Sequence, residues 1–140
     1  MIINKINIIS FAGLKDKEIN LEDKINLIYG ENEKGKSTIQ NFIRIWLYGM
    51  NSKRTKDLKS NDRVRFAPVD GEKIRGELYV THNNRKYIIR RSFGATKKED
   101  TSEILDAESG EIIADIPKDE PGKYFFNVNS ATFFKTLFIN

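Results

Sequence analysis

Residues Gly30-Glu31-Asn32-Glu33-Lys34-Gly35-Lys36-Ser37-Thr38 spell the pattern G-x-x-x-x-G-K-[ST], and no other stretch restricts the fold of this chain so tightly. Gly30 and Gly35 let the backbone turn where a Cβ would clash, so that the N–H groups of the stretch, those of Asn32, Glu33 and Lys34 included, converge on phosphate oxygens. Lys36 is a compact charge on a flexible stem that reaches the β- and γ-phosphates, the catalytic cation of such a site. The Ser37 hydroxyl is suited to ligate the Mg²⁺ that accompanies a nucleotide. Thr38 is expected to start a helix whose positive end faces the phosphates.

At average residue usage, with Gly near 7%, a chance match in a chain of this length arises on the order of one time in two hundred. The motif carries weight only between a strand and a helix. Before it, Lys24-Ile25-Asn26-Leu27-Ile28-Tyr29 alternates and then runs apolar, as a partly buried strand does. After it, Ile39, Phe42, Ile43, Trp46 and Leu47 fall at i, i+3, i+4, i+7 and i+8, one helix face, with Gly49 as a C-terminal stop. The plainer alternative is a flexible Gly/Lys surface loop.

A length of 140 residues with 39% hydrophobic content suits one globular domain or part of a larger one. The absence of cysteine removes disulfides, zinc thiolates and thiol nucleophiles. His82, the single histidine, sits among Thr81, Asn83, Asn84 and Arg85 in what reads as a turn, so it is expected to be a solvated loop residue, and histidine-based catalytic constellations are excluded. No apolar run approaches membrane-spanning length, and a cytoplasmic protein is expected. Net charge is +4, unevenly spread: Lys53 to Lys98 holds 14 Lys and Arg against 5 Asp and Glu, whereas Glu99 to Asp115 holds 7 acidic residues and no basic one. Solvated strand and loop faces account for such runs most simply; a phosphate-backbone contact surface is the sharper reading.

Along the chain, Ile2, Ile6 and Ile8 predict an opening strand, Phe11-Ala12-Gly13-Leu14 a bend, and Lys17 to Leu21 a second strand. Residues 51–67 read as a basic mobile loop. Ile74, Gly76, Leu78 and Val80 alternate with polar neighbours as a half-buried strand, and Lys86 to Arg91 is its partner. Ile104 to Ala107 and Glu111 to Ala114 predict a hairpin around Glu108-Ser109-Gly110. Pro121-Gly122 reads as a turn, and Ser130 as the start of a short helix, Ala131 to Lys135, that offers Phe133, Phe134 and Leu137 for burial; Phe126 reads as core rather than a base-stacking platform.

Phe11-Ala12-Gly13-Leu14, Ile19-Asn20-Leu21 and the run from Ile25 to Thr38 closely resemble the N-terminal lobe of SMC-like ATPases, nearest to the SbcC-like and YhaN-like DNA-repair ATPases, down to the helix ending Leu47-Tyr48-Gly49. Lys34 stands where those relatives more often carry a small residue. The resemblance implies an α/β (α+β) P-loop NTPase fold of the ABC/SMC-head type, with an antiparallel sheet beside the loop-and-helix core. It implies ATP and Mg²⁺ as cofactors, and as partners the chain's own C-terminal lobe, a second head in a homodimer, double-stranded DNA and a nuclease, with no membrane. In the family, a segment like Phe134-Lys135-Thr136-Leu137-Phe138-Ile139 leads to a glutamine that helps hold Mg²⁺ and the attacking water. Asn140 comes first, so residues 1–140 are expected to be a lobe truncated before that glutamine.

Phosphoryl transfer also needs a carboxylate for the metal and a group to orient water. No apolar run ending in Asp-Glu follows the loop, since Asp115 is succeeded by Ile116-Pro117, and no Leu-Ser-Gly-Gly-type signature or long heptad segment occurs. The chain is therefore expected to bind ATP and, alone, to hydrolyse it poorly, with ATPase activity belonging to the full-length protein. Two alternatives remain. A P-loop kinase or GTPase would share the loop, although the nearest approach to a guanine-binding Asn-Lys-x-Asp is Asn4-Lys5-Ile6-Asn7. A non-catalytic nucleotide- or DNA-binding module would explain the missing acid.

Overall fold

The computed structural model describes residues 2–21, 33–51, 61–127, 129 and 131–133, with side chains in the first helix described from residue 37. Strand β1 (Ile2–Phe11) buries Ile6, Ile8 and Phe11 and turns at Ala12-Gly13 into β2 (Leu14–Asn20), so the bend is two residues long and Phe11 still pairs with Leu14. The strand expected over 24–29 lies outside the described residues.

Strands β3 (Ile74–His82) and β4 (Arg85–Phe93) pair over nine residues around Asn83-Asn84, both at positive φ (51° and 64°), the backbone that tight hairpins demand and Asn tolerates. With β5 (Thr101–Asp106) they complete a five-stranded sheet, order β2-β1-β3-β4-β5, in which every neighbouring pair is antiparallel. The hairpin expected after β5 forms but is short: Leu105 bridges Ile112, the Asp106 N–H donates to the Glu111 carbonyl at 2.8 Å, and the Ile113 N–H donates to the Ile104 carbonyl at 2.7 Å. Asp106 turns the chain sharply there, its Oδ1 accepting from the Glu108 and Ser109 N–H groups, and Ile113 packs against the core while Ile112 is exposed.

Helix α1 (Glu33–Tyr48) packs against the sheet. It starts five residues before Thr38: Glu33 favours the positive end of a helix, Lys34 and Lys36 are good helix formers, and only Gly35 opposes, at about 1 kcal/mol. The predicted face is buried throughout, but so are Ile45 and Tyr48, because helical residues 121–126 cover the other side near the C-terminal end. Gly49 ends α1 as expected, at φ +88° with its N–H donating to the Ile45 carbonyl at 2.8 Å.

Other expectations are corrected. Inside the 51–67 stretch read as loop, α2 (Asp62–Arg65) forms a helical turn capped by Asn61, whose side chain accepts from the Arg63 N–H. Pro121-Gly122 opens helix α3 (Pro121–Phe126) instead of making a turn, proline being suited to the first helical position. The last helical turn, 131–133, is capped by Asn129, whose Oδ1 accepts from Thr132 N–H at 2.9 Å, and Ser130 lies outside the described residues. His82 is the half-buried end of β3 rather than a solvated loop residue, because α3 sets Phe125 5.3 Å and Tyr124 6.0 Å from its ring. Phe126 packs on Phe133 at 4.5 Å, as core. Among the described residues no helix is long and apolar enough to cross a membrane.

Candidate functional site

The phosphate-loop motif runs into the N-terminal end of α1. Gly30 and Asn32 lie outside the described residues; Glu33, Lys34, Gly35 and Lys36 form the first helical turn, Ser37 is exposed and Thr38 half-buried. In any helix the first four N–H groups lack intrahelical acceptors, so this end presents donors and the positive end of the dipole beside an exposed hydroxyl. Such a donor set fits phosphate oxygens with Mg²⁺: the N–H groups and Lys36 would hold phosphate, and Ser37 would supply one of the oxygen ligands that Mg²⁺ prefers.

What aims that end is the packing of the rest of the helix. Phe42 and Trp46 stack at 3.9 Å, and Trp46 Nε1 donates to the Gly76 carbonyl at 3.2 Å. A Cβ on Gly76 would stand 2.7 Å from the Asn7 carbonyl and 2.8 Å from Phe42 Cζ, so only glycine allows this approach of helix to sheet. At the far end, Arg91 of β4, 6% exposed, donates from Nη1 to the Ile45, Trp46 and Asp119 carbonyls at 3.2, 3.2 and 3.1 Å. Two of these carbonyls belong to the last turn of α1, whose negative dipole end offsets the buried cation. Burial pulls the Arg91 guanidinium down to about 10, which leaves it charged at neutral pH.

A polar stripe, Ser37, Asn41 and Arg44 at i, i+4 and i+7, runs along α1 and ends on a buried carboxylate. Asn41 Nδ2 donates to the Ser37 carbonyl at 2.9 Å, and its Oδ1 accepts from Arg44 Nε and Nη2 at 3.3 and 3.2 Å. Arg44 meets Asp62 as a fork, Nη1 to Oδ2 at 3.2 Å and Nη2 to Oδ1 at 3.1 Å. Asp62 also accepts from the Asn51 N–H at 2.7 Å and donates its own N–H to the Asn51 carbonyl at 2.8 Å.

The alternation of charge along the chain resolves into ion pairs between neighbouring strands and turns. Arg63 forks onto Asp100 at 2.8 and 2.6 Å, Arg85 meets Asp106 at 2.8 Å, and Arg90 lies 2.8 Å from Glu77 and 3.8 Å from Glu103. Three basic residues of the 53–98 segment, Arg63, Arg85 and Arg90, thus meet acidic residues of the 99–115 segment; Lys53, Arg54 and Lys56 lie outside the described residues. Sequence reasoning missed Asn41, Arg44, Asp62 and Arg91. Arg91 had a signal, a charge in the core-facing phase of Tyr87, Ile89 and Phe93, and the stripe spacing was another. Nothing in the sequence pointed from Arg44 to Asp62.

Residues 5–135 match the AAA domain family. Over 140 residues the chain is 33% identical to a DNA double-strand break repair Rad50 ATPase of Thermoplasma acidophilum, a match covering 100% of this chain and 15% of that protein. A protein of the same description from Thermoplasma volcanium is 29% identical over 143 residues, covering 99% of this chain and 15% of the relative. One from Thermococcus kodakarensis is 33% identical over 94 residues, covering 67% and 10%. The chain thus spans about 15% of the length of the first two of these relatives.

Proposed function

We propose that this chain, which belongs to the AAA domain family, is the ATP-binding N-terminal lobe of an SMC-like ATPase acting in DNA double-strand-break repair. In this reading Gly30, Asn32, Glu33, Lys34, Gly35, Lys36, Ser37 and Thr38 form the nucleotide cradle, Lys36 neutralises the β- and γ-phosphates, and Ser37 ligates Mg²⁺. The observation that carries it is positional. The G-x-x-x-x-G-K-S-T motif ends in the first turns of a 16-residue helix whose later turns are clamped to a sheet, the setting in which free N–H groups act as an anion site.

Hydrolysis needs a metal-binding carboxylate and a water-orienting group that the motif does not contain. A C-terminal lobe and a second head would supply them, closing on nucleotide because the γ-phosphate makes extra contacts only in the closed state. Double-stranded DNA, a partner nuclease and a cytoplasmic setting belong to the same proposal, and rest on the likeness to proteins described as Rad50 ATPases.

Lys36→Ala tests the assignment. Calorimetric titration with MgATP should show affinity falling by roughly 10- to 100-fold, the scale of one charge-assisted hydrogen bond, while the urea midpoint stays put. Binding of wild-type strength by the variant would refute the cradle.

A further inference from the structure

We propose that Asp62 and Arg44 are positioning residues for the Ser37 hydroxyl, acting through Asn41, and that they govern the Mg²⁺-dependent part of nucleotide affinity without touching nucleotide. The inference rests on the cradle assignment above. Asp62 is 3% exposed, and taking a carboxylate that far from water is costly unless it is fully engaged. Here it is engaged on both oxygens by Arg44 and again by the Asn51 N–H. The guanidinium is planar, so the fork that grips Asp62 also fixes the direction of Nε and Nη2 toward Asn41 Oδ1.

With its oxygen facing Arg44, the Asn41 amide can only turn its NH₂ the other way, onto the Ser37 carbonyl. The residue that carries the candidate metal ligand is therefore held by a side-chain chain of hydrogen bonds as well as by the helix ladder. Mg²⁺ demands near-ideal octahedral geometry, so a small displacement of one hydroxyl ligand weakens it. Lys36, with its flexible stem, and a row of N–H groups tolerate the same displacement far better.

The test is ATP affinity measured on one preparation with Mg²⁺ and with EDTA, for wild type, Asp62→Asn and Asn41→Leu. The factor by which Mg²⁺ tightens ATP should shrink by roughly tenfold in both variants, the lower end of what outer-shell partners contribute to metal sites, with the EDTA affinity within about twofold of wild type. A merely structural role would weaken both affinities together, and that outcome, or an unchanged Mg²⁺ factor, overturns the proposal. Asn41→Leu keeps the test decisive if Asp62→Asn, which leaves the part-buried Arg44 without its carboxylate, fails to fold. If wild type binds no ATP in either buffer, the cradle assignment itself falls, and this inference with it.

Discussion

Gly76→Ala is the substitution with the most calculable outcome. The new Cβ would lie 2.7 Å from a backbone carbonyl of β1 and 2.8 Å from the tip of Phe42, against an optimal carbon separation of about 3.5–4.0 Å. Phe42 has nowhere to go, being stacked on Trp46 at 3.9 Å and edge-on to Phe11 at 5.3 Å, with all three rings fully buried. The carbonyl belongs to Asn7, in register with Glu77 across the ladder, so it cannot yield without disturbing the sheet. Overpacking of this kind costs about 1–3 kcal/mol, and the lower backbone entropy of alanine in the unfolded chain returns about 0.4–1 kcal/mol. The balance is a destabilisation of about 1–2 kcal/mol. With a urea m-value of about 2 kcal/mol per molar, the middle of the usual range, the midpoint should fall by roughly 0.5–1 M. Trp46, the only tryptophan, reports directly on the contact by its fluorescence. Gly13→Ala is the control, since its Cβ would meet nothing within 4 Å. Equal midpoints for the two variants would refute the claim that Gly76 sets how closely α1 approaches the sheet.

Two further outcomes are expected. Asp106 is held down at about 2 by the Ser109 N–H, then by Arg85 and the Glu108 N–H, so its contribution to stability is complete above the ordinary aspartate pKa of about 3.9 and is lost as pH falls through about 2. Carboxyl NMR should show no Asp106 inflection above pH ~3, and Asp106→Asn should flatten stability against pH between about 4 and 2; a midpoint near 4 would contradict the geometry. If residues 53–56 bind a phosphate backbone, replacing Lys53, Arg54 and Lys56 with Gln should lower the slope of log affinity for duplex DNA against log salt by about 0.9 for each phosphate no longer neutralised, and an unchanged slope would assign them to solvent.

The strands were legible because a sheet with one buried face writes its period into the chain. Ile74, Gly76, Leu78 and Val80 could face only the core, and the nine-residue pairing with β4 follows from them. Where a turn residue and not an apolar pattern decides, sequence reasoning failed. Pro121 reads as punctuation, yet proline both breaks helices and begins them, and which of the two holds depends on Gly122 lying against Tyr48, where a Cβ would meet the ring at 2.5 Å. The hairpin after β5 is legible but short: Ile113 packs against the core while Ile112 is 65% exposed, so the pairing stops at one bridge flanked by two backbone hydrogen bonds.

The G-x-x-x-x-G-K-[ST] motif is legible because it is a local pattern, but the residues that hold its helix still are not. Arg91 is 46 positions from Ile45 and Asp62 is 18 from Arg44, and neither separation follows from any local pattern. Their placement nevertheless obeys one electrostatic logic along α1. The buried cation sits at the carbonyl end of the helix, where it satisfies acceptors and offsets the negative dipole end. The buried carboxylate would have stabilised the opposite end equally well had its oxygens faced the N–H groups of the first turn, but it would then have occupied the place of a bound anion. Asp62 instead reaches the helix through Arg44, its charge neutralised two turns downstream of Ser37. Both buried charges thus anchor the later turns of α1 and, among the described residues, leave its N–H end free of a neighbouring buried carboxylate, the division of labour that the proposed anion site requires.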